Sequence, residues 1–134
     1  MRASRTFAPN PECVRAARRF AAKVLEDLPP GAFEPIELMV SELATNCIKH
    51  GGTAFELTIT QRPGEVRIEV CDTGAGIPTV RSPRPEDPSG RGLQIVGMLS
   101  DDWGIETADS TGKTVWLTVS TRPQAGETAS TSAR

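Results

Sequence analysis

Apolar residues recur along this chain in two rhythms, one of about 3.6 residues and one of two. Val14, Ala17, Ala21, Val24, Leu25 and Leu28 fall at helical spacing. Pro9-Asn10-Pro11 breaks the chain before them, with Asn10 suited to cap the helix and Pro11 to its first position. Leu28-Pro-Pro-Gly31 ends that helix. A second helix is predicted from about Glu34 to Lys49, with Pro35 in its first turn and Gly51-Gly52 as its stop. Ile36, Val40, Leu43 and Cys47 make its apolar face, widened by Met39, Ala44 and Ile48. Glu42, Asn46 and His50 follow an i, i+4, i+8 line on a different face.

The rhythm then changes to two. Phe55, Leu57 and Ile59 alternate with polar neighbours, as do Val66, Ile68 and Val70. Arg62-Pro-Gly64 between them is a turn signal, so the pair reads as a hairpin ending at Asp72. The proline-rich stretch between Ile77 and Gly90 excludes regular structure. A loop of that length inside a compact domain is either functional or disordered. Leu93 to Ser100 is helical again and nearly apolar all round. Trp103, Ile105 and Thr107 alternate in a third strand. Val115, Leu117 and Val119 alternate in a fourth, with Thr114, Trp116 and Thr118 opposite. Arg5 to Ala8 adds a short edge strand at the start.

Strands that arrive in hairpin pairs rather than in βαβ units predict an α+β fold. The expected form is a two-layer α/β sandwich, its mixed, mostly antiparallel sheet covered on one face by helices. Residues 1–121 form one domain, and 122–134, rich in Ser, Thr and Ala, read as a disordered tail. No internal repeat is visible.

Composition narrows the function. The chain has 134 residues and a formal charge of −2, with both signs mixed, so no basic field for direct nucleic-acid binding is present. Tyrosine is absent and aromatics are few, which argues against a stacking surface for single strands. No apolar run approaches a membrane span and the N-terminus lacks a signal core, so a cytoplasmic protein is expected. Cys13, Cys47 and Cys71 are odd in number and scattered, the pattern of reduced thiols rather than of a disulfide framework or zinc site. Arg15, Arg18, Arg19 and Lys23 cluster on the first helix. The plain reading is a solvated face; the sharper one is a docking surface for an acidic partner.

Three short stretches carry candidate chemistry. Gly112-Lys-Thr114 is not a P-loop, because Thr107 stands where the loop needs its first glycine and a strand follows. Gly90 and Gly92 do not belong to a dinucleotide fingerprint, because Ile95 occupies the third glycine's place. At Asp72-Thr-Gly-Ala-Gly76, Gly74 and Gly76 let the backbone approach a flat ligand, and the Asp72 carboxylate can accept from an exocyclic amine. That acceptor would select adenine over guanine. At Gly90-Arg-Gly-Leu93, amides at a helix N-terminus suit phosphates. Asn46 offers a neutral oxygen to a hard cation such as Mg²⁺. Glu42, one turn earlier, can accept a proton from a water or hydroxyl attacking a γ-phosphate.

Glu42-Leu-Ala-Thr-Asn46, Asp72-Thr-Gly-Ala-Gly76 and Gly90-Arg-Gly-Leu93, in this order, resemble the N, G1 and G2 boxes of the GHKL (Bergerat-fold) ATPases. Val40-Ser-Glu-Leu-Ala-Thr-Asn-Cys-Ile-Lys-His-Gly51 and the short interval between the glycine boxes are most similar to the anti-sigma factor serine/threonine kinase branch. The resemblance covers roughly residues 5–120 and implies a Bergerat-type fold that binds ATP and Mg²⁺. It implies that Asp72 contacts the adenine amine and Gly76 shapes its pocket. Asn46 would hold the metal, Gly90, Gly92 and Leu93 would lie at the phosphates, and Glu42 would be the catalytic base. It places Thr114 near the adenine and Arg18 near a partner-contact arginine. The implied partners are an anti-anti-sigma (STAS-type) protein and a sigma factor. The branch is commonly dimeric, although no apolar stripe here demands a homodimer. His50 reads as a helix-end residue, since a histidine kinase would need a separate phosphoacceptor hairpin. The alternatives are a non-catalytic ATP-binding regulatory module acting by occupancy, and a scaffold without ligand.

Overall fold

A computed structural model describes residues 1–72, 88–108 and 112–121 of the chain. Five strands form one sheet in the order β1-β2-β3-β5-β4, where β1 is Arg2–Phe7, β2 Phe55–Arg62, β3 Glu65–Asp72, β4 Asp102–Ala108 and β5 Gly112–Ser120. Every pairing in it is antiparallel. The helices are α1 (Glu12–Val24), α2 (Pro30–Asn46) and α3 (Pro88–Leu99). The element order is the one expected, and the architecture is the two-layer α+β sandwich.

Strand alternation puts one row of side chains under the helices. Phe7, Phe55, Leu57, Ile59, Val66, Ile68, Val70, Val115 and Leu117 are buried there. Ala17, Ala21 and Leu25, Ile36, Met39, Val40, Leu43 and Ala44 meet them from the helix layer, and Val96 meets them from α3. Each fully buried large aliphatic side chain contributes roughly 1.5–3 kcal/mol. Phe7 joins layers at the sheet edge, stacking on Phe55 (centroids 5.5 Å apart) and meeting Phe20 of α1 edge-on at 6.1 Å.

Several boundaries differ from expectation, each for a local reason. β1 runs Arg2–Phe7 rather than from Arg5, because its whole length pairs with β2 from Arg2↔Thr60 to Phe7↔Phe55. α1 ends at Val24, and Leu25 and Leu28 close it in a turn in which the Leu28 amide donates to the Leu25 carbonyl at 3.0 Å. Asn10 makes no side-chain cap; its carbonyl accepts from the Cys13 amide at 2.8 Å instead. α2 begins at Pro30 and not at Glu34. Pro35 therefore lies inside the helix, and with no N–H it leaves the Gly31 carbonyl without its usual helical donor. Gly31 is exposed, so water can satisfy that oxygen.

The end of α2 shapes the site. The α-helical run stops at Asn46, and Cys47–Gly51 forms a wider π-helical turn. Gly52 closes it in the left-handed region (φ 66°), donating its amide to the Cys47 carbonyl at 3.1 Å. The i, i+4 relation between Glu42 and Asn46 is intact within α2. The His50 side chain lies outside the described residues.

α3 starts at Pro88, so Gly90 and Gly92 lie within its first two turns rather than ahead of it. Its apolar character does not mean burial all round. α3 packs on α2 and on β4, which buries Val96 and leaves Met98 77 % exposed.

The other face of the sheet carries no helix among the described residues. Ser4, Thr58, Glu69, Trp116 and Gly104 make one row across all five strands. Trp116 lies flat against Gly104, where a Cβ would come within 2.9 Å of the ring, and the Arg67 guanidinium stacks 4.6 Å above the ring centroid. Arg67 also pairs with Glu69 at 3.1 Å. Thr58, expected to face solvent, is buried and shares a 2.8 Å hydrogen bond with Ser4.

Candidate functional site

Glu42, Asn46 and Asp72 lie toward the C-terminal ends of two elements, α2 and β3. α2 packs on β3, and Glu42 and Asn46 occupy its last turn, both half-buried. Asp72 is the last residue of β3, on the helix-facing side of the sheet as the register partner of Phe55. Cys47, the first residue of the π-turn, ties the two elements electrostatically. Burial, with the Asp72 charge adding to it, pushes its thiol up to about 12, and the Lys113 ammonium partly opposes this. Cys47 is thus held as a neutral thiol.

Asp72 is held from three directions. The Thr53 hydroxyl donates to its Oδ1 at 2.6 Å. Its backbone carbonyl packs against Gly112, so closely that a Cβ at that position would collide with the oxygen. The Cys71 thiol lies 3.8 Å from the same carbonyl. Gly112 sits at φ 91°, a conformation open to glycine and costly for other residues. Neither Thr53 nor Gly112 carries a motif that pairs it with Asp72; Thr53 is 19 positions away and lies two residues before Phe55, the register partner of Asp72.

Parity sorts the residues of β5. Thr114 is the register partner of Cys71, so it shares the open face of the sheet, away from Asp72. Lys113 lies on the helix-facing side, where its charge reaches Cys47. Sequence reading passed over Lys113, although the alternation of Val115 and Leu117 already placed it there. Gly74 and Gly76 lie outside the described residues. Leu93 is half-buried on α3 and packs against the core.

Arg18 of α1 reaches across to α2, its guanidinium donating to Ser41 Oγ at 3.4 Å, while the Ser41 hydroxyl donates to the Glu37 carbonyl at 3.0 Å. Arg15, Arg19 and Lys23 are exposed. Pro11, Glu12, Val14, Arg15 and Arg18 line an open hollow of about 420 Å³.

Among the described residues, no group of three or more His, Cys, Asp or Glu side chains could hold a metal ion. No helix among the described residues is long and apolar enough to cross a membrane.

Residues 7–119 match the model of the histidine kinase-like ATPase domain. The chain belongs to this family of ATPase domains, which implies ATP binding. The comparison with curated proteins returns no match for the chain.

Proposed function

We propose that the chain is an ATP-dependent serine/threonine protein kinase that acts as an anti-sigma factor. In this reading it binds Mg·ATP, phosphorylates a small STAS-type anti-anti-sigma protein, and sequesters a sigma factor when that partner is unavailable. The observation that carries the reading is the Glu42–Asn46 pair at the end of α2, a helix that packs on β3, the strand that ends at Asp72. Asp72 accepts from the adenine amine, and the amides at the start of α3 meet the phosphates. Asn46 would hold Mg²⁺ through its amide oxygen. Mg²⁺, when bound, supplies charge neutralisation at the phosphate oxygens. Glu42 takes the proton from the partner's hydroxyl as that oxygen bonds to the γ-phosphorus and the bond to the ADP oxygen breaks. The exposed Arg15 and Arg19, with Arg18 at the hollow on α1, offer a cationic surface to an acidic partner.

The experiment compares two variants in ATP binding and in phosphate transfer to a purified anti-anti-sigma partner. Glu42→Ala should keep ATP affinity and lose transfer by about 10²–10⁴-fold, the usual worth of a positioned base. Asp72→Asn should lose ATP binding. Transfer by Glu42→Ala at the wild-type rate would rule out Glu42 as the base. Tight ATP binding by the wild-type protein with no transfer to the partner would leave occupancy, not catalysis, as its mode of action.

A further inference from the structure

We infer that Thr53 is a positioning residue that sets the Asp72 carboxylate for selection of the nucleobase. The inference rests on the reading of Asp72 as the residue that meets the adenine. The turn after α2 delivers Thr53 to this place. Gly52 reverses the chain at φ 66°, and Thr53 follows two residues before Phe55, the register partner of Asp72. Phe55 and Asp72 share the helix-facing side of the sheet, and Thr53 Oγ1 donates to Asp72 Oδ1 at 2.6 Å.

A carboxylate on an aspartate can turn about χ2, which is a broad torsion. An amine donor is selected only if an acceptor lone pair points along its N–H, because hydrogen bonds weaken steeply with misalignment. The Thr53 hydroxyl fixes the plane of the carboxylate, and the packing of the Asp72 carbonyl on Gly112 fixes the backbone that carries it. Selectivity for a 6-amino purine thus depends on a residue outside the Asp72 glycine box. Thr53 itself touches no ligand; it acts through Asp72.

The test uses the full chain and two probes, ATP and purine riboside 5′-triphosphate, which differs from ATP in lacking the 6-amino group. Thr53→Val preserves shape and removes the donor. It should weaken ATP binding about tenfold, in the range of a hydrogen bond to a charged group, while binding of the purine analogue changes less than about twofold by the same reasoning. Thr53→Ser should restore ATP affinity to within about threefold of wild type, since it returns the hydroxyl. Equal losses for both probes in Thr53→Val would mean a merely structural tie and would overturn the inference, as would unchanged ATP affinity. Asp72→Asn in the wild-type background separates the two levels. If it leaves the preference for ATP over the purine analogue intact, the reading of Asp72 itself fails, whatever Thr53 does.

Discussion

Three glycines in this fold offer a graded test of what holds Asp72 in place. Gly31 lies in the first turn of α2 in open space, with no heavy atom within 4 Å of where a Cβ would stand and no unusual φ. Gly52 is equally uncrowded but sits at φ 66°. Gly112 combines φ 91° with direct packing on the Asp72 carbonyl. Alanine at the three positions therefore separates backbone conformation from collision. Gly31→Ala should gain about 0.5–1 kcal/mol, because alanine loses less entropy in a helix. Gly52→Ala should lose about 1–2 kcal/mol, the cost of a Cβ in the left-handed region. Gly112→Ala bears that cost and a further ~1–3 kcal/mol for overpacking. The neighbouring backbone cannot simply step aside, because β5 is in register with both β3 (Cys71↔Thr114) and β4 (Ala108↔Gly112). Urea unfolding midpoints, read with a common slope, measure all three differences. Gly112→Ala should also weaken ATP binding, since the shift falls on Asp72, whereas Gly31→Ala should not. A Gly112→Ala protein no less stable than Gly52→Ala would refute the argument that Gly112 is needed for close approach.

Two further outcomes concern the core and the open face. The Cys47 thiol is neutral in both folded and unfolded chains below its ordinary value of 9.0, but above it only the unfolded chain ionises until about pH 12. Stability should thus hold below pH 9 and fall as pH rises beyond it, by at most ~1.4 kcal/mol per pH unit from this group; Cys47→Ala should show a shallower alkaline decline, and parallel declines would remove Cys47 as its source. On the open face, Arg67→Ala removes both the stacking on Trp116 and the pairing with Glu69. Both are part-exposed, so the expected loss is only about 0.5–1 kcal/mol, with greater quenching of tryptophan fluorescence by acrylamide; a loss above ~3 kcal/mol would show that the pair supports more than the surface.

Periodicity made the secondary structure legible because burial of one face repeats along each element. Val66, Ile68 and Val70 are buried as the alternation requires, and Ile36, Val40 and Leu43 as the helical stripe requires. The same signal failed at helix ends. Pro35 looked like a helix start, yet Pro30 serves that purpose and Pro35 is tolerated inside because Gly31 is open to solvent. The wider turn at Cys47–Gly51 has no signature in apolar spacing, since it reroutes backbone hydrogen bonds rather than exchanging residue types. Thr58 misled for another reason: its parity is outward as predicted, but Ser4 on one neighbouring strand covers it.

The candidate site divides along the same line. The order of elements and the family were readable in one dimension, because short motifs and local spacing are written in adjacent residues; Glu42, Asn46 and Asp72 were proposed on the same ground. The surroundings of Asp72 emerge only in three dimensions. Thr53, Gly112, Cys47 and Lys113 come to it from the turn before β2, from β5 and from the π-helical turn after α2. Thr114, beside Lys113 in the chain, is turned to the opposite face. Strand register brings distant residues within hydrogen-bond range, and a shift of one position would exchange every side chain between the two faces. That choice belongs to the pairing of strands and to no single stretch of the chain.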